Sequence, residues 1–239
     1  MPGLRIATWI WEQRWGLSIA VMLIGAAALT AIVRNSQLLA GEVPITRWLS
    51  NHDGYGLGDT AELWDILVTG KTAPVLWIGT VLVAWWAWGR YAGATVFGAG
   101  LLTAPVSLLD LAARPRPTPS LEWVTAGGIG GYPSGHVMFV ILVFGALAYL
   151  AGRHMAIPWQ RNTVQWGIWA FIVLMGPARL MSLTHWPADI GASYLIAFPQ
   201  LLFVYWLYPR VLPYLRDNLP WAYAWLHGDR VMGTRSEIA

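Results

Sequence analysis

Two short stretches hold most of the residues able to do chemistry: Gly131-Tyr132-Pro133-Ser134-Gly135-His136, and Arg179 to Asp189, reading RLMSLTHWPAD. Each sets a histidine at the mouth of a long apolar segment, beside glycine or arginine. A small, glycine-bearing entry to a helix lets backbone N–H groups approach an anion at the positive end of that helix. Ser134 and Gly135 supply such an entry. Arginine offers planar, permanently charged forks that match phosphate oxygens, and Arg114, Arg116 and Arg179 are candidates for that role. His185 and Asp189 are four apart, with Pro187 suited to the first helical position. A carboxylate in the first turn then leans back toward the imidazole. A carboxylate on one ring nitrogen fixes the tautomer and leaves the other a better nucleophile or base. His136 is placed to protonate a departing oxygen. The set points to phosphoryl transfer.

The elements that must position these residues are apolar. Of 239 residues, 56% are hydrophobic and only 11% charged, against about 25% charged in a soluble domain. The chain is therefore read as a membrane protein. Its net charge is +3, and the basic residues stand singly between apolar runs. A phosphate-tracking face needs them clustered, which excludes nucleic acid as a partner. There is no cysteine, hence no thiolate nucleophile, disulfide framework or zinc-thiolate site. Of the other histidines, His52 reads as a turn residue, and His154 and His227 as interfacial.

Apolar runs over 16–33, 73–89, 92–109, 136–151, 164–180 and 187–208 predict an all-α, polytopic protein with six transmembrane helices in one bundle, a single domain over 1–239. The Trp-rich segment 1–15 suits the headgroup level. Small residues at 25–28 also fit a signal peptide, but the length of the run and the spans that follow favour an uncleaved helix. The polar connection 34–72 carries turn signals at Asp53-Gly54 and 56–58, and Leu63 to Leu67 read as a short interfacial helix or a plain loop. A one-charge turn at Arg90 makes spans two and three an antiparallel hairpin, and Pro177 predicts a kink in span five. Six spans put both ends, 1–15 and 210–239, on one side. That side carries nine Lys and Arg against six on the other, three of which belong to the proposed site. The positive-inside rule puts the termini in the cytoplasm and the site on the extracytoplasmic face of the cell membrane.

Arg116-Pro117, then Pro133-Ser134-Gly135-His136, then Arg179-x5-His185-x3-Asp189 on a six-span chain resembles the type 2 phosphatidic acid phosphatase superfamily of integral-membrane lipid phosphate phosphatases, over roughly 60–208. The resemblance implies that Arg116 and Arg179 bind phosphate and that Ser134 and Gly135 add hydrogen bonds to it. His136 is then the general acid, and His185, held by Asp189, forms a phosphohistidine that water releases without metal or cofactor. Two positions depart from the pattern. Leu109 stands where the first motif has Lys, and Ala178 where the third has Ser. Arg114 or Lys71 is expected to replace the missing charge. The implied partners are membrane lipids and a lipid phosphate substrate: a carrier-lipid diphosphate first, then phosphatidic acid, phosphatidylglycerol phosphate or lipid A phosphate. A phosphotransferase with the same site, or a non-catalytic protein that binds or transports phosphate lipids, is the alternative.

Overall fold

The computed structural model describes residues 2–36, 38–51, 63, 72–109, 111–112, 114, 116–117 and 131–228. Every regular element among them is helical: α1 (Pro2–Ser36), α2 (Glu42–Asn51), α3 (Thr72–Trp88), α4 (Arg90–Leu101), α5 (Ala104–Leu109), α6 (Gly135–His154), α7 (Pro158–Met181), α8 (Pro187–Asn218) and α9 (Pro220–His227). Among the described residues, four helical stretches are long and apolar enough to cross a membrane, namely Trp15–Ser36, α6, α7 and α8. The protein is an all-helical integral membrane protein.

A helix apolar on every side has no face for water and belongs at the centre of a bundle. The sequence of α6 is of that kind, and residues 137–143 are buried without a break. It packs on α3, α4, α7 and α8. Within the membrane-crossing window 61% of α6 is buried, against 11% of α1. That contrast makes α6 the axis and α1 a lipid-facing helix that leans on α8. Between lipid-embedded helices, close packing of small residues replaces the hydrophobic drive. Gly176 shows this where it matters for the site: a Cβ there would stand 2.8 Å from Ile190 Cγ2 and 3.0 Å from the Tyr194 hydroxyl. The bare backbone lets α7 lie against α8, one turn before Arg179.

The expected hairpin of spans two and three is present. Gly89, at φ 94, turns the chain between α3 and α4, which pack together. The third span differs from expectation, because the helix stops at Leu101 and resumes at Ala104. Pro105 lacks an N–H and its ring clashes with the carbonyl four residues back. The hydroxyl of Thr103 instead donates to the Gly100 carbonyl at 2.7 Å. Span five begins earlier than its apolar pattern, at Pro158, which takes the first helical position, and runs through Pro177. Span six outlasts its apolar pattern, with α8 passing Pro199, Pro209 and Pro213 to reach Asn218. Membrane helices tolerate such prolines where neighbours re-satisfy freed backbone groups. The N-terminal segment 2–15 is continuous with α1. The interfacial helix proposed for Leu63 to Leu67 lies outside the described residues except for Leu63, which is helical and exposed, and His52 lies outside them too.

Candidate active site

The site gathers at the N-terminal ends of α6 and α8 and the C-terminal end of α7. The last turn of α7 closes as a Schellman motif: the Leu183 N–H reaches the Leu180 carbonyl (3.2 Å) and the Thr184 N–H the Arg179 carbonyl (3.3 Å). Leu183 fills the left-handed position with φ 53, where glycine is usual, at a cost of about 1–2 kcal/mol. The Ser182 and Thr184 hydroxyls also donate to the Arg179 carbonyl, at 3.3 and 3.0 Å. This short strap brings His185 back beside Arg179.

His185 is 1% exposed, with Nδ1 2.9 Å from the Gly131 carbonyl and 3.5 Å from Asp189 Oδ2. A carbonyl only accepts, so Nδ1 carries the proton and Nε2 holds the lone pair. Nε2 is buried and has no hydrogen-bond partner among the described residues. Burial pushes the His185 pKa below its ordinary value; Asp189 opposes that shift, while the charges of Arg179 and Arg116 add to it. The ring is thus neutral, with its lone-pair nitrogen unengaged among the described residues.

Asp189 is fully buried and held from two sides. Its Oδ2 accepts the Trp186 N–H at 2.8 Å, the N-terminal cap of α8, and its Oδ1 accepts Arg114 Nη1 at 3.0 Å. Arg114 also pairs with Glu42, through Nη1 to Oε1 at 3.1 Å and Nη2 to Oε2. Its two terminal nitrogens are spent on carboxylates and its residue is 0% exposed. Arg114, expected as a phosphate contact and as a stand-in for the missing lysine, sits behind Asp189 instead.

Arg179 is buried, and its Nη2 approaches His136 Nδ1 at 3.4 Å. Because a guanidinium only donates, Nδ1 of His136 accepts and its proton rests on Nε2. Ser134 caps α6 without using its hydroxyl there, and its buried Oγ has no partner among the described residues. Its N–H points to the Asp189 carbonyl (3.4 Å), and Ser193 Oγ shares its proton between the carbonyls of Ser134 (3.1 Å) and Asp189 (2.7 Å). Gly135 opens α6, half-buried, and Arg116 is exposed. Two groups therefore meet here: Ser134 and Ser193 are hydrogen-bonded to Asp189, which pairs with His185, and Arg179 is hydrogen-bonded to His136, with His185 feeling the charge of Arg179.

Tyr132 and Trp186 are buried struts. The Thr30 hydroxyl donates to the Ala26 carbonyl, so the Tyr132 hydroxyl, 3.0 Å away, donates to Thr30 and ties the site loop to α1. The Trp186 ring lies under the Arg114 guanidinium at 5.8 Å. Sequence reasoning missed three contributors: Glu42, the Gly131 carbonyl and Ser193. Glu42 read only as one more acid in a polar connection, since nothing local links it to an arginine 72 positions away. Ala178 is buried; Lys71 and the side chain of Leu109 lie outside the described residues.

An all-helical membrane protein with two histidines, an arginine and a serine at one end of its central helix is the class that fold and site define. A family model of the PAP2 superfamily matches residues 88–213, more than half of the chain, and the chain belongs to that superfamily. The fold is similar to the crystal structure of the first transmembrane PAP2 type phosphatidylglycerolphosphate phosphatase from Bacillus subtilis. The two are 14% identical, with 81% of this chain and 97% of that chain covered at a TM-score of 0.69. No curated protein sequence matches significantly.

Proposed function

We propose that the protein is a phosphatase that removes phosphate from a lipid phosphate or diphosphate. The observation that carries this reading is His185: a buried, neutral imidazole whose Nε2 lone pair has no partner among the described residues, while Nδ1 is held by Gly131 and backed by Asp189. An unsatisfied buried polar atom costs about 1–3 kcal/mol, and an electrophilic phosphorus answers it. Ser134 Oγ is a second orphan within the same cluster.

In the proposed reaction His185 Nε2 attacks phosphorus, forming a P–N bond as the P–O bond to the lipid breaks. The leaving oxygen takes a proton from His136, which must first be protonated at Nδ1 and give up its contact with Arg179 as that guanidinium turns to the bound phosphate. His136 then accepts a proton from water, whose oxygen displaces the imidazole and releases inorganic phosphate. Arg179 and Arg116, with Ser134 and the α6 N-terminus at Gly135, hold the phosphate oxygens through both steps. No metal enters either step.

We read α4 and α5 as one broken span, which with α1, α3, α6, α7 and α8 would make six crossings. The charge count supports cytoplasmic termini and an outward site, so the substrate is an outer-leaflet lipid with only its headgroup among the arginines. Phosphate release by detergent-purified protein in a chelator tests the reading, on a panel holding phosphatidylglycerol phosphate, phosphatidic acid, lipid A and polyprenyl diphosphate. Release from at least one lipid, abolished in His185→Ala, is expected. Wild type that binds these lipids without turnover overturns it.

A further inference from the structure

Glu42 has no part in the reaction just described, yet it is one of the most heavily bonded residues of the site. It is 3% exposed. Its carboxylate accepts the Leu39 N–H at 2.7 Å, the Ala188 N–H at 3.0 Å and both terminal nitrogens of Arg114. It therefore joins the corner between α1 and α2, the arginine-proline loop and the first turn of α8. Arg114 in turn donates to Asp189, which backs His185.

We propose that Glu42 is a positioning residue of the phosphatase site: by occupying Arg114 it leaves Asp189 its negative charge for His185. Without Glu42, Arg114 would sit as a buried cation on Asp189 and cancel it. With Glu42, the trio carries one net negative charge, matched to the positive charge that His185 acquires on attack. The inference rests on the phosphohistidine reading above. Among the described residues, the groups that bear on His185 are Asp189 on α8, Arg179 on α7, His136 on α6, Arg116 on the loop, and, behind Asp189, Arg114 and Glu42.

The test compares wild type, Glu42→Gln and Glu42→Gln/Arg114→Gln in one detergent, by kcat and KM across pH and by ¹⁵N-histidine NMR titration of His185. Glu42→Gln should lower kcat by about 10- to 100-fold with little change in KM, on the scale of a lost electrostatic contact. Loss of a negative charge lowers the His185 pKa, so the acid limb of kcat/KM and the NMR titration should both move to lower pH, by about half a unit to one unit. The double variant restores one net negative charge and should move the titration back toward wild type. A wild-type titration in Glu42→Gln, or a double variant left at the single variant's position, overturns the proposal. Should Glu42→Gln fail to fold, the double variant, which removes the buried pair together, is read against wild type alone, and a large acid shift overturns it. An active wild type with an unaltered Glu42→Gln rejects this inference alone. A wild type that releases no phosphate rejects the reading beneath it, while the NMR titration still decides whether Glu42 sets the charge at His185.

Discussion

The two ends of α6, about 30 Å apart by helical rise, solve the same problem in opposite ways. At its N-terminal end, buried polar groups are ionised: Arg114, Glu42, Asp189 and Arg179. At its C-terminal end the polar groups are half-buried and mostly neutral, with the half-buried Arg90 donating to the Trp225 carbonyl at 3.1 Å beside them. There the Tyr91 hydroxyl donates to the Tyr208 carbonyl, that of Tyr205 to the Gly145 carbonyl (2.8 Å), and that of Tyr149 to the Tyr205 carbonyl (3.4 Å), while His154 meets the Tyr208 hydroxyl at 2.9 Å. Tyr149 stacks on Tyr205 and Tyr91 on Tyr208, with centroids 4.3 and 4.7 Å apart. If stability were the only requirement, the neutral arrangement would serve at both ends, since buried ion pairs seldom beat well-packed neutral groups. In the proposed function the charged end is the one that receives an anion.

That contrast can be broken from its strongest side first. His185→Ala should abolish turnover, a loss of about 10⁴-fold or more, because no other group forms the P–N bond; single-turnover phosphate release measures it. Arg179→Lys should cost about 10²–10³ in kcat if Arg179 holds phosphate as proposed, since a point charge does not reproduce a guanidinium fork. A stopped assay at saturating lipid separates this from weaker binding. Arg114→Ala should lower stability by about 3–5 kcal/mol, because two buried carboxylates lose their common partner; thermal unfolding in detergent reads the drop. Tyr205→Phe at the neutral end should cost about 1 kcal/mol, one hydrogen bond to a carbonyl, and leave kcat unchanged. If the Tyr205 change were as damaging to turnover as the Arg179 change, the division between a chemical and a structural end would fall.

The pH profile sharpens the same division. In the proposed mechanism His185 must be neutral to attack, and burial holds its pKa below the ordinary value near 6.5. The loss of activity set by His185 should therefore come only below that value, while the need for a protonated His136 sets the fall at higher pH, as a titration of kcat/KM would show. Stability carries the matching sign. The unfolded histidine takes up a proton before the folded one does, so this contribution is complete above about 6.5 and fades as pH drops below it.

Much of the site is local in origin and legible for that reason. The four-residue spacing of His185 and Asp189, Pro187 at the helix start, and the small residues at the mouth of α6 act through backbone geometry within a turn or two. The apolar runs placed the helices, although their ends went astray where polar or proline-containing turns stay helical, as in α8 beyond Tyr208. The break before Ala104 was readable from Pro105, yet an unbroken apolar run hid it.

The sequence by itself determined that the chain is helical and membrane-embedded, and which histidines, arginine and carboxylate stand at helix mouths, because apolar length and helix-end chemistry are properties of contiguous residues. Only the tertiary structure decided which partners those groups take. The Gly131 carbonyl, 54 positions from His185, places the imidazole proton, and Glu42 and Asp189 take up the terminal nitrogens of Arg114. In a low-dielectric interior a buried charge takes the nearest opposite charge that packing supplies. That choice is made by how α1, α2 and α8 meet, which no local pattern encodes.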